Sequence, residues 1–103
     1  MYKVCFFVPI KDAEVVKGSM FRAGAGKLGN YEQCSFEVLG TGQFKPLFGA
    51  NPSIGNIGEL EKVSELRIEM LCADEFIKDV IEALKKNHPY EMPAYDIIKL
   101  SDL

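Results

Sequence analysis

The chain has no tryptophan, one histidine, no basic tract and no paired cysteines. Each lack excludes something. Nucleic-acid binders draw most of their affinity from Lys and Arg on phosphates. A net charge of −3 without a basic cluster argues against that class. No apolar run approaches the roughly 18 residues a membrane span needs. Met1-Tyr2-Lys3-Val4 begins a strand-like run and lacks the basic region, long apolar region and cleavage site of a signal peptide. The three cysteines, Cys5, Cys34 and Cys72, are widely spaced and each lies in an apolar stretch. They read as small buried hydrophobes rather than as a disulfide framework or a structural zinc site. Together these features point to a reducing, cytoplasmic setting, with neither nucleic acid nor membrane as a partner.

What is present suits one domain. A chain of 103 residues buries roughly 60–70% of its unfolded surface, enough for one core without staples. Its 48% hydrophobic and 26% charged content is that of an ordinary globular domain.

Tyr2 to Val8 is apolar throughout and reads as a strand buried on both faces, ended by Pro9. Asp12 is placed to cap a helix over residues 12–23, with Ala13, Val16, Met20 and Ala23 at helical spacing and Gly24 at its end. Gly24 to Gly29 matches GxGxxG letter for letter. A dinucleotide site needs a strand before that motif and a helix after it. Here the order is reversed, and Leu28 follows Lys27 where a phosphate loop needs Ser or Thr. The glycines therefore read as a helix-to-strand connection.

From Gln33 the pattern alternates, with Cys34, Phe36 and Val38 on one face and Ser35 and Glu37 on the other. The apolar set is assigned to the core. Gly40-Thr41-Gly42 is expected to turn this strand into a short edge piece, Phe44 to Phe48, followed by a breaker-rich loop from Gly49 to Gly58. Lys62 to Cys72 gives the clearest strand: Leu66, Ile68, Met70 and Cys72 on one face, Glu65, Arg67 and Glu69 on the other. Asp74 is placed to cap a second helix through Asn87, with Ile77, Val80, Ile81 and Leu84 as its apolar stripe. Pro89 stops that helix, and Tyr95 to Leu100 makes the last strand.

Strand, helix, strand, short strand, strand, helix, strand is the order of an α+β, ferredoxin-like βαββαβ sandwich. It predicts an antiparallel sheet with two helices on one face and an extra short hairpin strand. Its other face is uncovered, with Glu37, Glu65, Arg67 and Glu69 among apolar neighbours such as Val63 and Leu71. Tyr95, entering the last strand, is placed with them at a subunit seam. Uncovered apolar surface in mid-sheet predicts a homo-oligomer.

The nine residues from His88 to Asp96 hold the only histidine with two prolines, two tyrosines and two acids. His88 near its ordinary pKa of about 6.5 suits acid–base or ligand chemistry. Pro89 keeps His88 and Glu91 off a common helix face, and a metal would need more ligands than these two. The structural alternative has His88 capping the helix and bonding backbone, with the tyrosines packed at a subunit boundary. Cys34 as a nucleophile would need an imidazole within reach. No catalytic constellation emerges.

Several segments together resemble the small domain found inserted in bacterial proteins of the NIF-three-like family and also alone. They are Ala23 to Gly26 through Gly29-Asn30-Tyr31, Cys34-Ser35-Phe36, Gly40 to Phe44 with Pro46, Asn51-Pro52, Ile54-Gly55 and Gly58, Glu65 to Glu69, His88 to Glu91 and Pro93 to Asp96. The closing motif is also similar to the end of CutA-like proteins, which share the fold. The resemblance implies a CutA/PII-like domain over residues 1–103, assembled as a compact trimer with clefts between subunits. In that family the two-metal site lies on a larger domain, and one histidine cannot rebuild it here. Three functions stay open. One is a trimeric ligand-binding or regulatory module with a cleft lined by Asn30, Tyr31, His88, Tyr90 and Glu91. The second is a divalent-metal-binding CutA-type protein using His88 and Glu91. The third is a protein-interaction domain.

Overall fold

The computed structural model describes residues 1–103. The elements are β1 (Tyr2–Pro9), α1 (Ala13–Ala23), β2 (Phe36–Phe44), β3 (Glu61–Cys72), α2 (Ile77–Asn87) and β4 (Tyr95–Lys99). One antiparallel sheet has the order β2-β3-β1-β4, and both helices pack on one face of it. This is the ferredoxin-like sandwich. β1 runs through the middle, which explains a strand apolar on both sides. Val4, Phe6 and Val8 face the helices and are fully buried, with Ile68, Met70 and Cys72 of β3 beside them. Val16 and Met20 from α1 and Val80 and Leu84 from α2 close the core from above. Each such fully buried side chain contributes about 1.5–3 kcal/mol relative to exposure.

Both helices begin differently from expectation. Short 3-10 turns, Ile10–Asp12 and Asp74–Phe76, lead into α1 and α2, and the Ala13 and Ile77 amides bond within those turns. Neither Asp12 nor Asp74 makes a side-chain cap. The Asp74 carboxylate instead accepts from Lys99 and from the Met1 ammonium, which hold its pKa down at about 2. Gly24 ends α1 at φ 121°, where its amide bonds the Met20 and Phe21 carbonyls. A Cβ there would stand 2.5 Å from the Phe76 ring, so only glycine fits.

β2 corrects the hairpin expected from the sequence. Gly40-Thr41-Gly42 is no turn; it lies inside the strand, opposite Glu65, Ser64 and Val63. The extra short strand is absent, and residues 45–60 form one long connection. β1 pairs with β3 only from Glu65 onward. Thr41–Phe44 and Glu61–Ser64 therefore project past β1 as a two-stranded arm, which lengthens the molecule to 46 Å against 25 and 24 Å across.

The apolar alternation of β2 also faces the unexpected way. Phe36 and Val38 pair with Glu69 and Arg67, so they sit on the face away from the helices. They are 65% and 50% exposed. Cys34 is half-buried in the loop before β2 rather than in the core. Glu37 lies on the helix side, 2.8 Å from Lys17 of α1, and is not part of the open face. Tyr95 pairs with Phe6 and packs against the core under Lys85, which places it beneath α2 and away from any seam on the open face.

Candidate functional site

The chain leaves α2 at His88, whose amide bonds the Leu84 carbonyl and whose ψ of 138° breaks the helical path. Pro89 favours that extended conformation in the residue before it. The His88 ring turns inward and is 6% exposed. Its Nδ1 accepts the Tyr90 amide at 3.0 Å. Its Nε2 lies 2.6 Å from the Phe7 carbonyl of β1. A carbonyl only accepts, so these two partners assign the neutral tautomer with the proton on Nε2. Burial pushes the His88 pKa below its ordinary 6.5, outweighing the Phe7 carbonyl, Glu65 and Asp12, which favour the cation.

Tyr90 follows. Its ring stacks at a tilt on His88 and on Phe44 of the arm, with centroids 4.9 and 5.9 Å away. Its hydroxyl donates to Glu65 Oε2 at 2.7 Å. Burial and then that carboxylate push the phenol pKa well above its usual 10. Glu65 is buried. Its other oxygen, Oε1, lies where a Cβ on Gly42 would be, 1.7 Å from that position. The glycine inside β2 therefore makes room for the carboxylate that Tyr90 engages. Glu91 reaches across to the long connection, where its Oε2 accepts the Asn51 amide at 2.9 Å.

Between the arm, the 45–60 connection and residues 90–94 lies a cleft of about 790 Å³ on the open face. Val38, Phe44, Leu47, Ile54 and Met92 give it apolar walls, and Arg67, Glu65 and Tyr90 its polar edge. Arg67 is only loosely tied, 4.0 Å from Glu69, which also attracts Lys3 at 3.7 Å. Cys5, on this same face, is buried beneath Arg67, Glu69 and Asp96, and burial pushes its thiol pKa up.

The expected site residues separate into two groups. His88, Tyr90 and Glu91 are brought together with Glu65 at one end of β1. Asn30 and Tyr31 belong to the other end. Their turn, closed by paired Leu28 and Tyr31 bonds, hangs from Gly26, whose amide is spent on the Leu71 carbonyl. Leu71 pairs with Lys3, and Phe7 is four residues further along β1. That separates the two groups by about 13 Å of strand. Within one subunit they do not share a cleft. Nor do His88 and Glu91 form a metal site: both are engaged by backbone groups, and the chain has no cluster of three or more His, Cys, Asp or Glu side chains able to hold an ion. The Gly42–Glu65–Tyr90 contact and the Asn51 anchor were not read from the sequence. The one available signal was glycine at alternating positions in an otherwise extended run.

No family model matches the chain. It is 46% identical over 102 residues to the GTP cyclohydrolase 1 type 2 homolog of Halalkalibacterium halodurans, covering 99% of this chain and 27% of that protein. The Bacillus subtilis homolog of the same name is 47% identical over 95 residues, covering 92% of this chain and 26% of the relative. The chain thus spans about a quarter of the length of the curated relatives it matches. Among solved structures, a Bacillus cereus protein related to NIF3 superposes with a TM-score of 0.83 at 42% identity, over 98% of this chain and 26% of that one. CutA1 from Pyrococcus horikoshii superposes at 0.71 with 18% identity, over 100% of this chain and 86% of its own, a likeness of fold. The chain thus has the ferredoxin-like fold of CutA1 and matches, at 42–47% identity, about a quarter of longer proteins related to NIF3 or named GTP cyclohydrolase 1 type 2 homologs.

Proposed function

We propose that the chain is a ligand-binding or regulatory module that works as a homo-oligomer, with a trimer favoured. One observation carries this: the sheet face away from the helices is uncovered and apolar at both edges. Phe36 and Val38 of β2 and Ile98 of β4 are half or more exposed there, or close to it. Exposed apolar surface of this kind on an open sheet face marks an interaction site. The preference for three subunits comes from the resemblance to CutA-like and PII-like proteins. A neighbouring subunit on this face would also bring a second set of loops to the cleft, and an Asn30-Tyr31 turn from that copy could complete it. The apolar walls with Arg67 at the edge suit a small molecule with an apolar body and an anionic group.

Two other functions find less support. One structural neighbour is named a periplasmic divalent cation tolerance protein, CutA from Archaeoglobus fulgidus, at 16% identity. Divalent-metal binding here would have to break the backbone bonds of His88 and Glu91 or recruit ligands from a second copy. A protein-interaction role fits the span of about a quarter of longer relatives. It also fits the exposed apolar side chains of Leu47 and Met92 at the cleft and of Phe48 next to Leu47.

A thermal-shift series with nucleotides and small aromatic anions, run on the assembled protein, tests the ligand site. A rise in melting temperature that is lost in Arg67→Ala supports it. No shift with any anion, or an equal shift in the variant, sinks it. Equilibrium dialysis with divalent metals separates the metal alternative, which fails if His88→Ala binds as the wild type does.

A further inference from the structure

We infer that residues 88–94 form a pH-sensitive latch on the cleft, held shut by neutral His88 and released when the ring is protonated. This rests on the cleft being the binding site and names how that site is regulated. The geometry is specific. Nδ1 of His88 is an acceptor, taking the Tyr90 amide at 3.0 Å, while Nε2–H donates to the Phe7 carbonyl at 2.6 Å. Adding a proton turns Nδ1 into a donor facing an N–H, so the Tyr90 amide loses its partner and faces a like dipole. His88 itself stays tied to Phe7 and Leu84, and the ties of Tyr90 and Glu91 lie downstream of the Tyr90 amide bond. The Tyr90 ring fills the space between His88 and Phe44, and its hydroxyl holds Glu65. One residue later Glu91 holds the Asn51 amide, the side-chain bond between this segment and the 45–60 connection. Both segments wall the cleft.

The groups around the ring set the balance. Glu65 from β3 and Asp12 from the turn before α1 favour the cation, and Asp12 Oδ2 is buried with no partner of its own. From β1 the Phe7 carbonyl faces the ring. Burial opposes all of these, so the neutral, latched form holds at neutral pH and the switch lies on the acid side.

The test is an NMR titration of the free chain from pH 7.5 to 5, following the His88 ring and the Tyr90 and Asn51 amides. All three should titrate with one midpoint below 6.5, and the Tyr90 amide should move upfield as it loses its acceptor. His88→Gln keeps a donor and an acceptor but cannot titrate, and it should abolish the response of both amides. Glu91→Gln should leave the Tyr90 response and weaken that of Asn51. The proposal is overturned if His88 titrates at or above 6.5, or if it titrates while the two amides stay still. It is also overturned if the amides respond equally in His88→Gln. Should that variant fail to fold, the wild-type midpoints and Glu91→Gln still decide. The readout is taken without ligand, so it stands or falls separately from ligand binding and assembly.

Discussion

The two faces of the sheet carry apolar residues in similar alternation but complete themselves differently. On the helix side Val4, Phe6, Val8, Ile68 and Met70 are buried by α1 and α2, and nothing further is needed. On the open side Phe36 and Val38 stay exposed, Cys5 is covered by charged side chains, and Glu65 is buried against Gly42 and bonded by Tyr90. The helix face is a core made by one chain. The open face is a partial surface that the 88–94 segment covers at one end and leaves bare at the other. Stability should therefore reside on the first face, and assembly and binding on the second.

The strongest way to break this contrast is Phe6→Ala, which should cost about 3–5 kcal/mol by chemical denaturation. A loss below 1 kcal/mol would mean the helix-side core is not the source of stability. Next come the buried contacts at the covered end of the open face. Tyr90→Phe leaves the Glu65 carboxylate without its donor, and Gly42→Ala drives a Cβ into the same carboxylate. Each should cost about 1–3 kcal/mol. The double variant should cost clearly less than the sum, because both act on Glu65. Additivity would show that the three residues do not form one unit.

A pH effect of smaller size follows from His88. Its folded pKa lies below the ordinary 6.5, so below 6.5 the unfolded chain binds more protons than the folded one. The contribution is fully present above pH 6.5 and is lost as pH falls through the folded value. Denaturation midpoints should drop between pH 7.5 and 5.5 in the wild type and stay flatter in His88→Gln. The smallest effect belongs to the helix side's exterior. Lys17→Met removes the ion pairs to Glu37 and Glu14, and surface pairs of this kind contribute up to about 1 kcal/mol.

Much of the fold was legible in the residues. β1, β3 and both helices follow from periodicity, and the structural role weighed for His88 matches the observed backbone bonds. β2 was harder for a physical reason. Period-two alternation tells which residues share a face but not which face the helices cover. Cys34, Phe36 and Val38 were assigned to the core, and Glu37 to the open side, by the assumption that apolar means inward. Gly40 and Gly42 looked like a turn because glycine breaks strands, yet Gly42 is there to admit Glu65. The site was half legible: His88, Tyr90 and Glu91 lie within four residues, whereas their partners Phe7, Asn51 and Glu65 stand 81, 40 and 25 positions away. Asn30 and Tyr31 were grouped with them without a topology that could show they hang from the opposite end of β1.

The central claim, that the open face is completed by further copies of the chain, is tested most directly by solution mass. Light scattering behind size exclusion at micromolar concentration should give about three times the 11.5 kDa chain mass for the wild type. Val38→Lys, which sets a second cation opposite Arg67, should return a monomer with denaturation stability changed by little beyond the loss of assembly. A wild-type chain that runs at 11.5 kDa across that range, or a Val38→Lys variant that keeps the wild-type mass, would contradict it.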